Sequence, residues 1–120
     1  MCFRRNENYR KVGGKMALQI EKLRRLCTDD TVIMTAHIIK RCKERSIDSD
    51  SIINVIMHGE IIRQYEDDKP FPSCLLLGMS INDRYLHVVV ASDNINLYII
   101  TAYYPSNEEW EPGFKTRKGC

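Results

Sequence analysis

Asp48-Ser49-Asp50-Ser51-Ile52-Ile53-Asn54-Val55-Ile56-Met57-His58-Gly59-Glu60-Ile61-Ile62-Arg63-Gln64-Tyr65 changes its hydrophobic period at a single glycine. Before Gly59, the residues Ile52, Ile53, Val55 and Ile56 recur at helical spacing, which predicts a helix over Ser49 to His58 with Asp48 as its cap and these four side chains in the core. Glycine stands where a helix stop is expected. After it, Glu60 to Tyr65 reads as a strand, ended by the acidic and proline-rich turn Glu66-Asp67-Asp68-Lys69-Pro70-Phe71-Pro72.

Downstream the pattern stays extended. Strands are expected near Ser73 to Met79, Tyr85 to Ala91 and Leu97 to Tyr103, joined by short links that favour an antiparallel meander. Upstream it is helical. Ala17, Ile20, Leu23, Leu26 and Cys27 predict a first helix from Met16 to about Cys27, and Thr35 caps a second to about Ser46. Helices followed by strands define an α+β class, with N-terminal helices packed on a four-stranded, mainly antiparallel sheet. Residues 1–15, polar and with Gly13-Gly14 near their end, read as a flexible basic tail, and 16–118 as one domain.

The net charge of +2 hides an asymmetry. Residues 1–45 carry twelve Lys/Arg against five Asp/Glu, a net of +7, while 46–120 carry six against eleven, a net of −5. A polyanion suits the first part, and an acidic surface is left for another contact. The five cysteines form no CxxC pair and no Cys/His ligand spacing, and no secretory leader or membrane-length apolar run occurs. These features predict a cytoplasmic protein. His37, His58 and His87 are dispersed, so no metal site is expected; no glycine-rich phosphate loop or nucleophile elbow is present, so no nucleotide cofactor is expected either.

Candidate chemistry lies in two places. On the second helix, about 100° per residue puts His37, Arg41 and Arg45 on one slanted stripe beside Lys40, with Ile38, Ile39 and Cys42 towards the core. In the strands, alternation puts Tyr85, His87, Val89 and Ala91 on one face, and Ile99, Thr101 and Tyr103 on one face of the last strand. Metal-independent RNA cleavage needs a base for the ribose 2′-OH, cations for the phosphorane and an acid for the departing 5′-oxygen. His37, Arg41, Arg45, His87, Thr101 and Tyr103 are residues of those types. Near the C-terminus, Tyr103, Tyr104, Trp110 and Phe114 interleave with Lys115, Arg117 and Lys118, a composition suited to stacking bases and holding phosphates. The same residues serve equally in a noncatalytic RNA-binding or protein-interaction module.

Thr35-x-His37, Arg41-x-x-x-Arg45, Ile47, Ile52, the Gly59-Glu60-Ile61-Ile62 to Tyr65 turn into strand, Pro72-Ser73, Leu86-His87-Val88-Val89, Thr101-x-Tyr103, Trp110 and Arg117 together resemble the domain of unknown function 4258 family, over about residues 31–118. That family looks like a branch of the RelE-like, or barnase/EndoU/colicin/RelE, ribonuclease fold. The resemblance implies an endoribonuclease toxin with RNA as substrate and a separately encoded antitoxin protein as partner.

Overall fold

The structure, a computed structural model, describes residues 9–12 and 15–119. In chain order its elements are β1 (Tyr9–Val12), β2 (Lys15–Leu18), α1 (Ile20–Arg25), β3 (Val32–Ile33), α2 (Ala36–Glu44), α3 (Ser49–His58), β4 (Glu60–Tyr65), β5 (Ser73–Met79), β6 (Tyr85–Ser92) and β7 (Leu97–Tyr103). The change of period at Gly59 marks the junction of α3 and β4. The Gly59 N–H donates to the Val55 carbonyl at 2.7 Å, and a Cβ there would lie 2.5 Å from the Leu77 carbonyl oxygen. Only a residue without a side chain lets α3 end this close to β5.

The expected meander forms: β4, β5, β6 and β7 are antiparallel neighbours in that order. The sheet nevertheless has five strands rather than four, and it is mixed. β3 adds to the β7 edge in parallel, pairing Val32 with Leu97 and Ile33 with Tyr98. Two residues are too few to show a period in sequence. The first helix is also shorter than its apolar spacing predicts. Met16 to Leu18 belong to β2, because the Gln64 side chain accepts from the Leu18 N–H at 3.0 Å and donates to its carbonyl at 2.9 Å, holding this segment extended beside β4. β2 pairs with β1 as a two-stranded hairpin. Residues 1–8 and Gly13-Gly14 of the expected tail lie outside the described residues.

All three helices pack on one face of the five-stranded sheet. Leu23, Ile38, Cys42, Ile52, Val55 and Ile56 meet Cys74 and Leu76 of β5, Leu86, Val88 and Val90 of β6, and Leu97, Ile99 and Ala102 of β7 in one continuous core. Burial of this apolar surface is the main source of stability. Two apolar assignments differ from the helical wheel: Ile53 is 42% exposed and Ile39 52% exposed, each at the margin of its helix's buried stripe. Further along β5, α3 also lies close at Gly78, where an added Cβ would be 3.0 Å from the Val55 Cα.

A bulge alters the last strand. Val90 pairs with Ile99 but Val89 pairs with Thr101, so Ile100 is the extra residue. Ile99 therefore turns into the helix-side core, while Thr101 and Tyr103 face the other way. Simple alternation puts all three on one face. The face away from the helices, here the outer face, carries Arg63 and Tyr65 of β4, Leu75 and Leu77 of β5, His87, Val89 and Ala91 of β6, and Tyr98, Thr101 and Tyr103 of β7.

Candidate functional site

The chain after β7 crosses the outer face. Residues 106–119 form turns closed by an isolated bridge between Trp110 and Arg117, with Glu109 and Lys118, and Glu111 and Thr116, joined by backbone hydrogen bonds. Trp110 is buried and sets its indole edge-on to the His87 ring at 4.4 Å, while the Phe114 ring leans on Tyr85 at 5.1 Å. This segment covers one end of the outer face; at the other end the turn between β4 and β5 lays Phe71 against Tyr98, and Ser73 and Ala91 are buried.

His87 is fully buried beneath it. Its Nε2 lies 2.9 Å from the Phe114 carbonyl oxygen and its Nδ1 3.2 Å from the Tyr103 hydroxyl. A carbonyl only accepts, so Nε2 carries the proton; Nδ1 is then bare and accepts from the Tyr103 O–H. Burial holds the imidazole below its ordinary pKa, with the Phe114 carbonyl pulling weakly the other way. Tyr103 is half-buried. Burial pushes its phenol up, Tyr65 and Glu109 push the same way, and the Arg117 guanidinium pulls it down. Both shifts favour a neutral phenol on a neutral imidazole, so this pair holds one mobile proton without carrying net charge.

The outer face and the segment over it also carry two guanidinium groups and two more hydroxyls. Arg117 lies over the Trp110 ring at 5.9 Å, Arg63 stands beside Leu75, and Thr101 and the 37% exposed Tyr65 complete the surface. Lys115 is engaged with Glu60 at 3.1 Å in an exposed ion pair, and Lys118 is exposed at the rim.

The structure thus brings His87, Thr101, Tyr103, Lys115, Arg117 and Lys118 to the outer face. His37, Lys40, Arg41 and Arg45 are not among them. α2 packs on the opposite side of β7 through Ile38 and Cys42, and its cap is the Thr35 hydroxyl, which accepts from the Ile38 N–H at 3.3 Å. His37, Lys40 and Arg41 are exposed there, with Arg41 3.8 Å from Glu44. Arg45 donates to the Ala102 carbonyl at 2.7 Å. The expected convergence of the strand residues with the helical stripe therefore does not occur, because the sheet stands between them.

Arg63, Tyr65 and Glu109 belong to no motif in the sequence that marks them as site residues. The available signal is alternation in β4, which places Arg63 and Tyr65 on one face; the bulge at Ile62 and the unknown cross-strand pairing conceal where that face looks. The thiols contribute packing. Burial raises the pKa of Cys27 and Cys42 and pushes Cys74 up to about 12. Among the described residues, no three His, Cys, Asp or Glu side chains gather closely enough to hold a metal ion, and no helix is long and apolar enough to cross a membrane.

These features define an α+β domain whose open mixed sheet carries helices on one face and a hydroxyl- and guanidinium-bearing surface on the other. The chain belongs to the family described as Domain of unknown function (DUF4258), whose profile matches residues 34–104. The match runs from just before α2 to just beyond β7, and leaves out the covering segment with Trp110, Phe114 and Arg117. No curated protein and no solved structure matches the chain.

Proposed function

We propose that the protein is a metal-independent endoribonuclease whose active site is the outer sheet face, with Tyr103 and His87 as its proton-transfer pair. The observation that carries this reading is the Tyr103 hydroxyl, half-exposed on a surface with Arg63 and Arg117 and backed at 3.2 Å by the bare nitrogen of a buried imidazole. In this scheme the ribose 2′-OH gives its proton to Tyr103 Oη as Tyr103 passes its own to His87 Nδ1. The 2′-oxygen bonds to phosphorus, the bond from phosphorus to the 5′-oxygen breaks, and the Tyr65 O–H protonates the departing oxygen. The products are a 2′,3′-cyclic phosphate and a 5′-hydroxyl. Arg63 and Arg117 hold the phosphorane oxygens. Relay through the Tyr103 phenol leaves that residue neutral throughout; the step ends with His87 protonated and Tyr65 deprotonated, and solvent water carries the proton from His87 back to Tyr65 before the next turnover.

On this reading the resemblance to RelE-like toxins extends to biology, and the chain acts on cytoplasmic RNA under the control of an antitoxin protein. The exposed Lys40, Arg41 and Lys43 of α2 then offer an acidic antitoxin a surface apart from the reaction centre.

The test is cleavage of an end-labelled single-stranded RNA in the presence of a chelator. Tyr103→Phe and Arg117→Ala are each expected to lower the rate by about 100-fold or more while circular dichroism stays native. A folded Tyr103→Phe protein that cleaves at the original rate refutes the assignment. A second reading, noncatalytic RNA binding by the same face, draws on the complete burial of His87 and the engagement of both its nitrogens. It predicts salt-dependent binding and no cyclic-phosphate product.

A further inference from the structure

The end of the outer face beside the β4–β5 turn holds a cavity of about 280 Å³. Its floor is Ala91 and Tyr98, its walls are Ile33, Ile100 and Phe71, and Asp68 stands on its lining. Phe71 and Tyr98 are stacked, with ring centroids 5.4 Å apart and planes 17° apart, and the Tyr98 hydroxyl is fixed by donation to Asp93 at 2.9 Å. Ile33 and Ile100 remain 37% and 50% exposed. Apolar walls beside a preformed aromatic stack suit a flat, uncharged ring.

The polar group in the lining chooses among such rings. The Asp68 carboxylate accepts from the Ser73 hydroxyl through Oδ2. A carboxylate accepts about four hydrogen bonds, so most of its capacity remains for a ligand. Guanine presents two adjacent donors, N1–H and the N2 amino group, which match a carboxylate side by side. Adenine and cytosine place a ring acceptor beside their amino group, and uracil has one N–H between two carbonyls. Each of these sets a lone pair against the carboxylate. Lys69, also on the lining, brings a cation of the kind that a nucleotide's phosphate would recruit.

The cavity adjoins the proposed reaction centre along one strand. Ala91, Val89 and His87 are successive outward residues of β6, so the floor lies about 13 Å from His87 at the usual rise of a strand. We infer that this cavity is a guanine subsite that selects where single-stranded RNA is engaged. The inference rests on the outer face being the RNA surface.

The experiment titrates the full chain with guanosine 5′-monophosphate and, separately, adenosine 5′-monophosphate, followed by nuclear magnetic resonance. Guanosine monophosphate is expected to bind about tenfold more tightly, with shifts centred on Phe71, Tyr98 and Ile100. Asp68→Asn keeps an acceptor for Ser73 and reduces the preference to within about twofold, while Phe71→Ala weakens both nucleotides. Equal affinities on the native chain, absence of binding, or shifts confined to α2 overturn the subsite. The cleavage assay with Tyr103→Phe reports on the catalytic reading alone. Guanine preference with unchanged cleavage refutes that reading and keeps the pocket, whereas loss of cleavage without guanine preference does the reverse.

Discussion

Replacing His87 with leucine removes an imidazole that bridges the sheet and the segment covering it. Each lost hydrogen bond contributes about 1 kcal/mol net, and the Phe114 carbonyl, left without its buried partner, adds a desolvation cost of about 1–3 kcal/mol. The half-exposed Tyr103 hydroxyl rehydrates, and leucine recovers part of the packing against Trp110. The expected loss is roughly 2–4 kcal/mol near pH 7.5. Acid then changes the comparison. Because burial depresses the His87 pKa in the folded protein, the unfolded chain binds the proton first. The stability this histidine supplies is fully present above its unfolded pKa of about 6.5 and is lost as pH falls through the lower folded value, with a slope of at most about 1.4 kcal/mol per pH unit. The leucine variant has nothing to protonate at that position. The stability gap should therefore narrow on acidification. Urea denaturation of both proteins near pH 7.5, 6.5 and 5.5, with unchanged m values, measures it. A gap below about 0.5 kcal/mol near pH 7.5, or one constant across the series, refutes the buried, neutral, doubly bonded imidazole.

Three further substitutions probe other parts of the structure. Gly78→Ala drives a Cβ to 3.0 Å from the Val55 Cα and 3.2 Å from both its γ carbons, so α3 must lift from β5 at a cost of about 1–3 kcal/mol by thermal denaturation. Arg24→Gln removes the guanidinium that donates to the Ile56 and Gly59 carbonyls at 3.0 and 2.9 Å; a loss of about 1–3 kcal/mol in urea is expected, since these bonds terminate α3 and tie α1 to it. Arg41→Ala breaks only a half-exposed contact with Glu44, so stability should stay within about 0.5 kcal/mol and the cleavage rate should not change. A large fall in cleavage by that variant would return the reaction centre to the helix.

The sequence carries the element order because its period changes sharply at Gly59 and because capping at Thr35 is local chemistry. The four long strands and their antiparallel order follow from alternation and short links. What escaped is set by partners distant in the chain. Gln64 fixes Leu18 in an extended form across 46 residues, against a helical spacing that is locally satisfactory. β3 exists through two pairings with β7. In the candidate site, residue types were legible and grouping was not. His87, Thr101, Tyr103 and Arg117 come together, but the bulge at Ile100 and the covering segment decide which face they share. The helical stripe is real as a stripe, yet nothing in its spacing reports that a sheet lies between it and Tyr103.

Arg45 illustrates a different use of charge. Beyond Tyr98, β7 has no strand on its outer side among the described residues, and such a margin invites cross-chain assembly. By occupying the Ala102 carbonyl, the guanidinium denies an incoming polypeptide one of the acceptors from which a continuous intermolecular ladder would grow. Each backbone acceptor met from within the chain in this way is one fewer handhold for a second copy.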